Sequence, residues 1–150
     1  MENKKQTGIL ALPSLIGLGV LYGLIPWVVF YVLVLVSHEF VENIGGVNLI
    51  LLVCYSLLIF LINKWCRKHN GHYLVNRELL ILFLSALPVV LIITTFLTVA
   101  LVITSQAEKI NFNSQFYLIL IVTYIIKIVV MGLPLFLMWL KIKRHDSQNQ

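Results

Sequence analysis

A lysine inside a long apolar run is the most chemically pointed feature of this 150-residue sequence. Lys127 stands in the stretch 116–140, about 16 Å along a helix begun at Phe116 and so near the middle of a hydrocarbon core about 30 Å thick. An ammonium there costs about 2.5–3.5 kcal/mol on insertion scales, so it must face a bundle interior, a water-filled cavity or another subunit. No apolar segment contains an Asp or Glu to pair with it. Tyr55 and Ser56 fall at a similar depth on another segment, and Thr123 and Tyr124 lie on its own. With only neutral groups around it, the lysine can hold an anion, meet an acidic residue of a partner protein, or send its long stem to water. Lys127, Tyr124, Tyr55 and Ser56 are therefore the expected partner- or ligand-binding residues.

Other residues offer weaker chemistry. Proline sits inside three apolar runs as Pro26, Pro88 and Pro134. Each removes a backbone hydrogen bond and frees the carbonyl four residues earlier, on Tyr22, Leu84 and Val130, where it can act as a hinge or coordinate a cation, but prolines are ordinary in membrane helices whose neighbours re-satisfy the backbone, and that structural role is the one expected. The first run also carries Gly19 and Gly23, a Gly-x-x-x-Gly pair that lets another helix approach closely. These two glycines are expected to serve helix packing. Thr94, Thr95 and Thr98 are expected to bond the carbonyls of their own helix.

Two histidine-containing groups fall short of a metal site. His38-Glu39-x-x-Glu42 has a glutamate where a zinc-binding HExxH helix needs its second histidine. Cys66, His69 and His72 have ligand spacing but no fourth ligand, and Arg67, Lys68 and Gly71 among them read as a solvated basic turn near anionic headgroups. No metal and no cofactor is expected. Paired membrane carboxylates, a phosphate-cradling glycine loop, a Ser-His-Asp set and a histidine inside a span for haem are all absent from the pattern, so an enzyme is not expected.

The elements that must position these residues follow from composition. Hydrophobic residues make up 60% of the chain and charged ones 11%, against roughly 45–50% and about 25% in soluble domains. Such a surface belongs in lipid. Four long apolar segments, residues 9–36, 47–63, 79–104 and 116–140, are each able to cross a bilayer once as a helix. The fold expected is all-α: a single membrane domain over residues 1–150, built as a four-transmembrane-helix bundle. The first segment is too long for the apolar core of a signal peptide, and it lacks a small-residue cleavage site.

Basic residues then orient the bundle. Lys4, Lys5, Lys64, Arg67, Lys68, Arg77, Lys141, Lys143 and Arg144 all fall on one side, while Lys109 alone falls on the other. The positive-inside rule makes this N-in/C-in, a multi-pass cell-membrane protein with both termini cytoplasmic. Trp65, Tyr73 and Trp139 mark the inner boundary, and Phe40, Phe112, Phe116 and Tyr117 the outer one. The charges form short clusters rather than a stripe, so nucleic acid is not an expected partner despite the net charge of +5. Cys54 and Cys66 form no Cys-x-x-Cys pair and read as free thiols.

The polar segments are too short to house a soluble domain, which leaves helices, loops and partners to carry any role. The expected partners are the lipid bilayer and either another membrane protein or further copies of the chain. The leading expectation is a small non-enzymatic membrane protein of accessory-subunit or immunity type that binds another membrane component. The alternative is a small oligomeric transporter or channel using Lys127 and proline-broken helices. A low alanine content with abundant Ile, Asn and Lys fits an AT-rich bacterial coding sequence.

Overall fold

The structure, a computed structural model, describes residues 11–36, 44–104 and 114–148. Among them the chain is wholly helical: α1 (Leu12–Val36), α2 (Ile44–Asn70), α3 (Asn76–Thr104) and α4 (Ser114–Gln148). Each of the four contains a segment long and apolar enough to cross a membrane, from 22 residues in α1 to 28 in α4. Lys4, Lys5, residues 37–42, Lys109 and Phe112 lie outside the described residues, as does the side chain of Phe116.

The helices run past the apolar segments that announce them. α2 continues to Asn70 and α4 to Gln148, each about two turns beyond the expected span. Arg67, Lys68 and His69 occupy the last turn of α2, where cations suit the negative end of the helix dipole. The helix stops at Gly71, whose φ of 74° is the left-handed conformation that glycine adopts without strain, with its N–H on the Arg67 carbonyl at 3.1 Å.

The following turn is tied down at both sides. Asn63 Oδ1 accepts the Leu74 N–H at 3.1 Å, and Glu78 Oε2 accepts the Val75 N–H at 3.1 Å. The Val75 carbonyl in turn accepts the Leu79 N–H, so Glu78 supplies the acidic half of a capping box at the start of α3. Its carboxylate is fully buried at the positive end of that helix.

Packing closes the four helices into a ring in the order α1, α3, α4, α2. α2 and α3 are joined by the shortest described connection yet stand diagonally apart. Along α2, Leu51, Tyr55, Ile59, Ile62 and Cys66 face inward, and along α3, Leu79, Leu82, Ala86, Val90 and Thr94 do so. Steps of three and four residues keep such positions on one helix face. α4 contributes least, with Met131, Pro134 and Leu135 its fully buried side chains among the described residues. Leucine, isoleucine, valine and phenylalanine cover most of the outer surface, as lipid contact requires. Cys66, which the basic turn would place at the surface, instead belongs to this core.

α1, α3 and α4 each continue as one helix through Pro26, Pro88 and Pro134. The Tyr22 hydroxyl donates to the Met131 carbonyl at 3.0 Å, in the turn that precedes Pro134.

Candidate functional site around Lys127

The site is assembled from three helices. Lys127 Nζ donates to Asn48 Oδ1 on α2 at 2.6 Å and lies 5.2 Å from the centroid of the Trp27 ring on α1. Side chains of a helix tilt toward its N-terminus, so Lys127 reaches toward the end where α4 and α2 begin. There it meets Asn48, four residues into α2. A hydrogen bond to a charged group contributes about 1.5–3 kcal/mol and a cation–π contact about 0.5–2 kcal/mol. Together they offset the roughly 2.5–3.5 kcal/mol that an ammonium in the hydrocarbon region costs.

One turn further along α4, the Tyr22 bond to Met131 forms the floor of the site. Tyr22 packs on Tyr55, with ring centroids 5.1 Å apart. The Tyr55 hydroxyl lies beside the Trp27 indole, but neither it nor Trp27 Nε1 makes a hydrogen bond of normal geometry among the described residues, and both are buried. The ammonium carries three donors and one is used on Asn48. Two of the three therefore have no acceptor among the described residues.

The residues expected to surround Lys127 are distributed differently. Tyr124 bonds Thr95 of α3 through the two hydroxyls. Ser56 is exposed and its hydroxyl donates to the Leu52 carbonyl of its own helix at 2.8 Å. Tyr55 reaches the site only through Trp27 and Tyr22. Thr95 and Thr98 do bond the carbonyls of Leu91 and Thr94, at 2.7 and 2.8 Å, whereas the Thr94 hydroxyl is buried with no partner among the described residues.

Asn48 and Trp27 are the residues that sequence reasoning passed over. Asn48 is a polar residue just inside the second apolar segment, and Trp27 sits well inside the first, away from any boundary where tryptophan anchors a helix. Those two departures were the available signals. Asn48 stands 79 positions before the lysine, and only the packing of α2 against α4 brings the two together.

Gly19 and Gly23 both face α3. A Cβ on Gly19 would overlap the Ser85 hydroxyl and lie 2.9 Å from the Leu82 carbonyl oxygen; on Gly23 it would lie 3.0 Å from the Ala86 carbonyl oxygen and 3.2 Å from Val89 Cβ. Positions rise together along both helices, so α1 and α3 are parallel. Gly17, on another face, has nothing within 4 Å of such a Cβ. At the basic end, His69 Nδ1 contacts the Trp65 carbonyl, His72 Nδ1 contacts the Tyr73 carbonyl, and Cys66 faces the core. Among the described residues no three His, Cys, Asp or Glu side chains are grouped to hold a metal ion.

Length and composition of the four helices define a multi-pass membrane protein. Beyond that class, comparison with protein-family models, with curated proteins and with solved structures yields no match.

Proposed function

We propose that this chain is a non-enzymatic component of a cell membrane, bacterial by its composition, that acts by binding another membrane protein through the Lys127 site. The observation that supports this reading is the half-buried ammonium itself, which has a single acceptor, Asn48 Oδ1, among the described residues. A partner helix bearing a carboxylate at matching depth would complete it, because an opposite charge in low dielectric repays the desolvation of both groups far better than a neutral amide does. The site uses no reaction chemistry; its substrate is a surface.

The test is purification in mild detergent of the wild-type chain and of Lys127→Leu, expressed in the native host. A stoichiometric membrane protein retained by the first and lost from the second is the expected result. A homo-oligomer of the wild-type chain without such a protein would favour the transporter or channel reading instead.

Both termini and the turn between α2 and α3 are proposed to be cytoplasmic, on the nine-to-one placement of basic residues. Cys66 is unsuitable for testing this because it is fully buried. In a chain with Cys54 and Cys66 replaced by serine and alanine, Lys68→Cys is expected to react with an impermeant thiol reagent only after the cell is opened. Reaction in intact cells would invert the topology.

A further inference from the structure

At the basic end, well separated along the helices from Lys127, residues of α2, α4 and the turn 72–75 line a groove of about 940 Å³. Its two parts differ in chemistry. Exposed Phe60 and Leu137 with half-buried Met138 and Ile142 give it an apolar wall open toward lipid, while the exposed Lys64, Arg67 and Lys141 line it as well. Glu78 is the sole acidic residue among those whose side chains are described, and it is buried against the core rather than lining the groove. The three cations therefore have no carboxylate opposite them among the described residues.

Arg67 is prepared for an anion. Its guanidinium carbon sits 4.9 Å from the centroid of the Tyr73 ring, a cation–π contact that holds the group beside the groove both residues line. Lys64 and Lys141 are exposed, on helices whose positions rise together from Asn48 and Lys127 toward this end. Trp65 and Trp139 flank the same level: Trp65 stacks on His69, and Trp139 has Lys143 5.2 Å from its ring centroid. That mixture of aromatic rings and cations at a helix end is what a membrane interface favours.

We propose that this groove binds one anionic phospholipid, its phosphate held by Lys64, Arg67 and Lys141 and one acyl chain laid along Phe60, Leu137, Met138 and Ile142. Charge complementarity selects the anionic headgroup. Continuity of the apolar wall with the spans of α2 and α4, which cover Gly46–His69 and Tyr117–Arg144, selects a lipid over a soluble anion. The inference is independent of the Lys127 site.

The experiment is native mass spectrometry of the full chain in detergent, titrated with phosphatidylglycerol and, separately, with phosphatidylcholine of the same acyl chains. One phosphatidylglycerol per chain is expected to be retained at least tenfold more tightly. Each groove cation contributes about fivefold at a membrane surface, so Lys141→Ala is expected to weaken retention about fivefold and the triple variant K64A/R67A/K141A roughly a hundredfold. Lys68→Ala removes a charge from the same helix outside the groove and should leave retention unchanged. All four positions are exposed, and helical circular dichroism checks the fold of each variant; the single variant carries the test if the triple one does not fold. Equal retention of the two lipids, undiminished retention in Lys141→Ala, or an equal loss in Lys68→Ala would overturn the site. Displacement of the lipid by inorganic phosphate would reassign it to a soluble anion.

Discussion

Gly19→Leu is expected to separate α1 from α3 and to leave little folded protein. Even a single methyl at this position meets the Ser85 side chain and the backbone oxygen of Leu82, and the oxygen is part of a helix that cannot step aside. Overpacking of a well-packed contact costs about 1–3 kcal/mol for small insertions, so Gly19→Ala should lower stability by about that much and the leucine variant by more. Gly23→Ala is expected to be milder, since its nearest contacts lie at 3.0–3.3 Å and the Val89 side chain is among them. Gly17→Ala, which adds a methyl in open space, serves as the control for helix propensity and should be neutral or slightly stabilising. Thermal unfolding in detergent, followed by helical circular dichroism, ranks the four. If Gly19→Ala melts with Gly17→Ala, the close approach of α1 and α3 is not what holds the bundle.

The second large effect separates stability from function at Lys127. Replacing it with leucine removes an insertion cost of about 2.5–3.5 kcal/mol. It also forfeits the bond to Asn48 and the contact with Trp27, worth about 2–5 kcal/mol together. These nearly cancel, so Lys127→Leu is expected to fold within about 1–2 kcal/mol of the wild type. Asn48→Leu is different in kind, because it keeps the ammonium and removes the oxygen that accepts from it. Leaving a charged donor unsatisfied costs more than about 1–3 kcal/mol, so this variant should be the least stable of the set. The double variant K127L/N48L should recover most of that loss, which is the coupling a double-mutant cycle reads.

Function is expected to follow the charge instead. Lys127→Leu and the double variant should both fail to replace the wild-type gene in a deletion strain. Lys127→Arg should restore part of the phenotype, since charge persists while the shape of the donor group changes. An Asn48→Leu protein as stable as the wild type would show that the amide does not hold the ammonium. Full complementation by Lys127→Leu would reduce the lysine to a tolerated residue.

Much of this protein is written in one dimension. Apolar length alone sets the number of helices, because a backbone that must satisfy itself in lipid has few other choices. The cost of Lys127 is likewise a property of one residue and its depth, and the Gly19–Gly23 pair announces a close contact without a partner. The helix ends were less readable: α2 outlasts its apolar segment because basic residues suit its last turn and Gly71, rather than the loss of hydrophobicity, stops it.

What the sequence could not express is which face of each helix turns inward. In a soluble helix the apolar stripe answers that, but lipid is as apolar as leucine, so core-facing and lipid-facing positions in α1 and α4 carry the same residue types. Leu15 and Met131 are buried while Ile16 and Val129 are not, and no difference in hydrophobicity separates them. Tertiary packing made that decision through shape, with glycine and alanine admitting one neighbour and not another. The same packing placed α1 beside α3 rather than in a simple hairpin order, set Asn48 under Lys127, and brought Lys64 and Arg67 to Lys141 across a single groove. Polar residues so far apart in the chain share no local pattern, and only the arrangement of parallel helices makes them one site.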